Sequence, residues 1–202
     1  MDEVKKIVDY FSSDDDWNND SFLQVYEEYL NLIYWVKGFN PQNILEIGSR
    51  GFSFFILSQF STGKKVAVDI ENLEERFKMG MYNQDWRFFH GDSQTTEMRD
   101  AVKEFCPKFD LIFIDGDHSY KGVETDFNLY KELLSDRGVI LFHDVDPEHI
   151  FKGDLGGGDV WEFWKNLEEG TKTHIVTTRS SGKNKLWGCT TGFGGIGIWT
   201  KK

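Results

Sequence analysis

Between residues 43 and 144, five short apolar runs alternate with amphipathic segments, and each run gives way to polar residues at its end. NILEI (43–47), KVAVDI (65–70), WRFFH (86–90), FDLIFID (109–115) and GVILFHD (138–144) have the length and side-chain content of strands. FSFFILSQF, LEERFKMG, TTEMRDAVKEF and KGVETDFNLYKELL lie between them and read as helices. In the last of these Val123, Phe127, Tyr130 and Leu134 share one helical face. Strands that are apolar on both faces and separated by helices imply a parallel sheet covered on both sides. The expectation is an α/β fold, a doubly wound Rossmann-like sheet.

Toward the C-terminus the rhythm changes. DPEHIFKGDLGGGD is a long glycine-rich loop, which suggests a lid, and DVWEFWKNLEE reads as a helix. THIVTTR (173–179) and GGIGIWTKK (194–202) add two closing, antiparallel strands through the polar hairpin RSSGKNKLWGCTTGF, making seven strands, mostly parallel. Before the sheet, Val4, Ile7, Val8 and Phe11 mark a first helix. A second is expected from Ser21 to Lys37, with Asp20 or Ser21 as its cap and Gly38 as its stop. With no internal repeat or linker, residues 1–202 read as one domain, a helical cap (1–40) on a Rossmann-like core (41–202).

Charge narrows the function. The 34 acidic residues outnumber the 23 basic ones, for a net charge of -11, and no dense Lys/Arg run offsets this, so a nucleic-acid partner is not expected. No stretch approaches the ~18 apolar residues of a membrane span, and MDEVKKIVDYF lacks the apolar core of a signal peptide. Cys106 and Cys189 stand far apart and form no CxxC, as suits structural thiols in a reducing cytoplasm.

The residues with chemical potential cluster at the ends of the strands, where open α/β sheets bind ligands. Glu46-Ile47-Gly48-Ser49-Arg50-Gly51 turns from the first strand into a helix, and its two glycines allow a close backbone approach. It is neither a dinucleotide GxGxxG fingerprint nor a P-loop. Asp69 ends the second strand about twenty residues later, where an acid can accept ribose hydroxyls or cap a helix. Asp92 and Ser93 follow the third strand, fit to lie beside a base or to cap the next helix. Asp115-Gly116-Asp117-His118 and His143-Asp144 follow the fourth and fifth strands. Asp115 and Asp144 at neighbouring tips offer hard oxygen ligands for Mg²⁺ or Mn²⁺, His143 could complete the site, and His118 would fall beside it as a general base.

LEIGSRGFS, VAVDIE, FFHGDSQ, IDGDHSYKGVETDF and GVILFHDV, in this order, resemble class I S-adenosylmethionine-dependent methyltransferases. More narrowly they resemble the small-molecule O-methyltransferase family that includes macrolide sugar O-methyltransferases and cephalosporin-hydroxylase-like proteins. The resemblance implies that Glu46, Gly48 and Gly51 belong to the methionine-side loop, that Asp69 takes the ribose hydroxyls, and that Asp92 and Ser93 lie by the adenine. Ser49 and Asp117, in the same turns, are counted with the cofactor-binding residues. It further implies a metal aspartate at Asp115, a general base at His118 and an acid pair at His143 and Asp144. Sugar-methylating relatives tend to carry Glu-Asp at that pair and catechol-type ones Asp-Asn. Here His143 either ligates the ion or points away from it. The implied reaction is metal-assisted methyl transfer to a hydroxyl of a sugar, phenol or natural product, leaving S-adenosylhomocysteine. The alternative is a non-catalytic domain that binds the cofactor without a functional metal centre. Related enzymes often pair through their N-terminal helices, so the resemblance also admits a homo-oligomer.

Overall fold

The computed structural model describes residues 2–12, 26–81, 85–146, 158–175 and 195–202. The Asp20 or Ser21 cap, most of the expected lid (with Gly156 and Gly157), the 179–193 hairpin and Cys189 lie outside the described residues.

Helices α1 (Glu3–Ser12) and α2 (Tyr26–Phe39) precede an alternating series: β1 (Ile44–Ile47), α3 (Phe52–Ser58), β2 (Lys65–Asp69), α4 (Glu74–Gly80), β3 (Trp86–His90), α5 (Thr96–Phe105), β4 (Phe109–Ile114) and α6 (Tyr120–Tyr130). A 3₁₀ turn (Lys131–Leu133), β5 (Leu134–Phe142), α7 (Val160–Asn166), β6 (Thr171–Ile175) and β7 (Ile196–Thr200) complete the series. Among the described residues, seven strands form one sheet in the order β3-β2-β1-β4-β5-β7-β6. Strands β1 to β5 pair in parallel, and β7 runs antiparallel between β5 and β6. The chain order reverses between β1 and β4, which opens a crevice at their carboxyl ends.

Alternation along each strand builds two apolar layers. Ile44, Leu111, Phe113, Val139, Leu141 and Ile198 face one side, where Val4, Val8, Leu32, Val36, Phe54 and Phe77 from the first four helices cover them. Leu45, Val68, Ile112, Ile140 and Trp199 face the other, under Val102, Val123, Phe127 and Phe163 of α5, α6 and α7. Each large side chain so enclosed contributes about 1.5–3 kcal/mol relative to exposure, enough to fix the strands and hence the spacing of their tips.

Three local expectations are corrected. Gly38 does not stop α2; it lies inside the helix, which continues to Phe39. Asn40 ends it, at φ 54 with its amide bonded to the Val36 carbonyl at 2.8 Å, a left-handed cap that asparagine tolerates. The helix starting near residue 120 gives way to the 3₁₀ turn after Tyr130. Strand β5 begins at Leu134 rather than Gly138, because Leu134 pairs with Phe109 ahead of a register shift. No helix among the described residues is long and apolar enough to cross a membrane.

Candidate functional site

The parallel ladder aligns the strand ends, so the residues just past them line one edge of the sheet. After β1, Gly48 adopts φ 78, and its amide hydrogen bonds to the Val68 carbonyl at 2.9 Å. A Cβ on Gly48 would overlap the Asp115 carbonyl and Gly116, so a side chain there would force the β1 and β4 turns apart. Glu46 lies inside the fold, where Oε1 accepts a hydrogen bond from the Ser53 hydroxyl while Oε2 has no partner. Burial pushes this carboxyl up to about 8, an effect only partly offset by Ser53. The buried Ser49 hydroxyl beside it also lacks a partner.

At the β2 tip, buried Asp69 accepts from the Glu71 amide through Oδ1 at 2.8 Å. Burial raises its carboxyl, with that hydrogen bond pulling the other way. Ile70 follows, a large apolar side chain that is 70% exposed. After β3, Asp92 Oδ1 accepts from the Gln94 amide at 2.8 Å. Neither Asp92 nor Ser93 caps α5; Thr95 does, its side chain accepting from the Met98 amide at 3.2 Å. Gln94 reaches across to Asp117, donating to Oδ2 at 3.0 Å, and Asp117 Oδ1 takes the Ser119 amide at 2.9 Å. The β3 and β4 turns are thereby joined.

The densest group lies where β4 and β5 end. His118 bridges two carboxylates, with Nε2 3.3 Å from Asp115 Oδ1 and Nδ1 3.3 Å from Asp144 Oδ2. His143 presents Nδ1 to the same pair, 3.1 Å from Asp115 Oδ1 and 3.3 Å from Asp144 Oδ1. Burial alone would raise the Asp115 carboxyl, but His143 and His118 reverse this and hold it well below the usual carboxylate range. Burial would likewise lower His143, but Asp144 and Asp115 keep it well above its ordinary value. Asp144 sits at φ 60, a strained backbone for a non-glycine residue and a recurrent mark of functional turns.

Ligand atoms of Asp115, His118 and Asp144 lie within 4.8 Å of one another. Of these, the two carboxylates suit a divalent ion of the Mg²⁺ or Mn²⁺ kind, with the His118 imidazole beside it. His118 is the more open of the two histidines, with 30% of its side chain exposed against 5% for His143. His143 thus lies behind the aspartates and His118 in front of them. The far end of the glycine-rich loop returns to this place: the Asp159 amide donates to the His118 carbonyl at 2.7 Å, and Gly158, at φ 48, packs against it. His149, the histidine of that glycine-rich loop and the one that could reach the site from it, lies outside the described residues.

Two residues escaped the sequence reading. Ile70 is an apolar side chain placed immediately after a strand-end acid. Glu28 is an acid in the apolar stripe of α2, four residues before Leu32, and it is buried. Both signals are present in the sequence as breaks of the local pattern.

A family model described as a methyltransferase domain matches residues 45–145. An uncharacterized protein of Sinorhizobium fredii is 29% identical over 153 residues, 67% of this chain and 16% of its own length. The chain likewise spans 16% of a second curated relative, from Acanthamoeba polyphaga mimivirus. Among solved structures, the O-methyltransferase from Bacillus cereus in complex with SAH superposes with a TM-score of 0.63 at 18% identity, covering 98% of this chain and 90% of that one. The MycE methyltransferase of the mycinamycin biosynthetic pathway, in complex with Mg and SAH, has a TM-score of 0.53 at 17% identity over 81% of this chain and 45% of its own. With the sheet order, the strand-tip residues and the family match in agreement, the chain belongs to this methyltransferase-domain family and has the class I fold of S-adenosylmethionine-dependent O-methyltransferases.

Proposed function

We propose that this chain transfers a methyl group from S-adenosylmethionine to a hydroxyl of a small molecule. The observation that carries this reading is the row of acids at adjacent strand tips, Glu46, Asp69, Asp115 and Asp144, beside a turn that only glycine at position 48 permits. Asp69 uses Oδ1 within the chain, leaving Oδ2 for the ribose hydroxyls. Ile70 offers its exposed face to the adenine, near Asp92, Ser93 and Asp117. Glu46 and Ser49, with unpartnered polar atoms, face the ammonium and carboxylate end of the cofactor. When bound, a divalent ion would polarise the acceptor oxygen and lower the pKa of its proton.

Asp115 and Asp144 have the donor atoms to hold such an ion, and the buried Asp144 Oδ1 makes no well-formed hydrogen bond, with His143 Nδ1 3.3 Å away. His118, the open member of the group, takes the proton that leaves the acceptor hydroxyl. The C–S bond of the sulfonium breaks as the new C–O bond forms, and S-adenosylhomocysteine leaves. Holding both reactants in line supplies much of the rate. The helices of residues 1–40 cover the acceptor side in this reading. The acidic surface favours an uncharged or cationic small molecule over nucleic acid. The MycE methyltransferase and the Bacillus cereus O-methyltransferase, both in complex with SAH, support the reaction class.

The test is release of S-adenosylhomocysteine from S-adenosylmethionine with a panel of phenols, catechols and glycosides, with and without Mg²⁺. Acceptor-dependent release that falls at least ~100-fold in His118→Gln supports the reading. Release unchanged in that variant contradicts the proton-transfer role. Cofactor binding without turnover of any acceptor favours a non-catalytic binding domain.

A further inference from the structure

A buried carboxylate in the N-terminal cap reaches the β5 turn from behind. Glu28 on α2 is 1% exposed, and its Oε2 accepts the Gly195 amide at 2.7 Å, just ahead of β7. Its Oε1 has no hydrogen-bond partner and lies 3.9 Å from His143 Nε2, which has none either. The other side of that ring, Nδ1, spans Asp115 and Asp144. Gly195 closes a loop, because its carbonyl accepts the Val145 amide at 3.1 Å. At φ 88 it also packs so tightly on Asp146 that a Cβ would collide with that residue's backbone amide.

Glu28 therefore holds both flanks of Asp144. One oxygen works through Gly195 on Val145, the residue after it. The other faces His143, the residue before it. A left-handed aspartate persists only where its surroundings over-determine it, and this ring of contacts does so. We propose that Glu28 is a positioning residue: by pairing with His143 Nε2 it sets the imidazole that orients the Asp115 and Asp144 carboxylates toward the reaction site. The part of this inference that concerns metal affinity rests on the reading that the two aspartates hold an ion. The part that concerns His143 does not.

The substitution Glu28→Gln separates the two jobs of the side chain. Glutamine keeps one oxygen for the Gly195 amide, so a merely structural clamp survives, while the acceptor facing His143 is replaced by an amide donor. Mn²⁺ alone is titrated into metal-stripped protein and followed by electron paramagnetic resonance. Histidine ring signals are recorded by ¹⁵N-resolved NMR and assigned with His143→Gln. The expected result is Mn²⁺ affinity weakened about tenfold in Glu28→Gln, the low end of the cost of disturbing the group that orients metal ligands. Displaced His143 ring signals and S-adenosylhomocysteine affinity within about twofold of wild type should accompany it.

Unchanged Mn²⁺ affinity together with unchanged His143 signals overturns the proposal. If the wild-type chain binds no Mn²⁺, the metal reading fails and the His143 spectra decide the role of Glu28 by themselves. Should the variant not fold, the wild-type spectrum suffices: an exchange-protected Nε2–H on His143 supports the pairing, and a freely exchanging ring contradicts it.

Discussion

Removing the charge of Asp126 should make the protein more stable at alkaline pH, with the gain shrinking as pH falls through mild acid. Asp126 lies on α6 beneath the β4 turn, close to Gly116, with no exposed surface and no hydrogen-bond partner for either carboxylate oxygen. Burial pushes its carboxyl up to about 7; the nearby Ser93 hydroxyl tempers this, and the charges of Asp117 and Asp92 add to it. In the unfolded chain the same group titrates near ~3.9. Between those values the folded state holds a proton that the unfolded state has released, so stability falls as pH rises through the window. One proton is worth about 1.4 kcal/mol per pH unit, and a window of roughly three units gives about 3–4 kcal/mol, an upper figure because local relaxation reduces it. Asp126→Asn keeps the shape and cannot ionise. Urea unfolding of metal-free protein at pH 5 and pH 8 is the assay, with Glu28 and Glu46 common to both proteins. The variant should exceed wild type by about 1–1.5 kcal/mol at pH 5, about one unit above the unfolded value, and by about 3–4 kcal/mol at pH 8. A stability difference that does not change with pH, or a variant weaker at pH 8, refutes the reasoning.

Other consequences follow from the strand tips. Asp144→Ala should weaken Mn²⁺ binding at least ~tenfold, as measured by paramagnetic resonance, while S-adenosylhomocysteine affinity stays within a few-fold. Because burial holds Glu46 at about 8 in the free protein, pairing with the cofactor's ammonium should release most of a proton at pH 7. Calorimetry in buffers of different ionisation enthalpy reads that release, and Glu46→Gln should abolish it. Gly48→Ala should cost at least ~2 kcal/mol in urea unfolding and impair cofactor binding, since alanine meets both an unfavourable φ and the Asp115 carbonyl.

Much of this arrangement could be read in the chain because it is local. Asp69, His90 and the ends of β1 and β4 follow directly from apolar runs that stop, and a run's end is visible without knowing what it pairs with. The start of β5 was hidden because Asp136 and Arg137 are exposed and polar, so only the ladder to β4 reveals them as strand. Gly38 misled for a related reason. Nothing crowds it within 4 Å, and a glycine in a last helical turn is tolerated when the next left-handed position is supplied by Asn40. His143 and His118 were legible as site residues but not in their layering, which depends on which ring nitrogen meets which carboxylate. Glu28 was least legible. Its partners Gly195 and His143 lie far along the chain, and only the packing of α2 against β5 and β7 brings them together.

The central claim is that these strand tips bind S-adenosylmethionine, and the most direct measurement is calorimetric titration of S-adenosylhomocysteine into metal-stripped protein and into Asp69→Ala. The account predicts one-to-one binding without added metal, weakened at least ~tenfold when the Asp69 carboxylate is removed. No binding heat in the wild-type protein, or equal affinity in both, would contradict it.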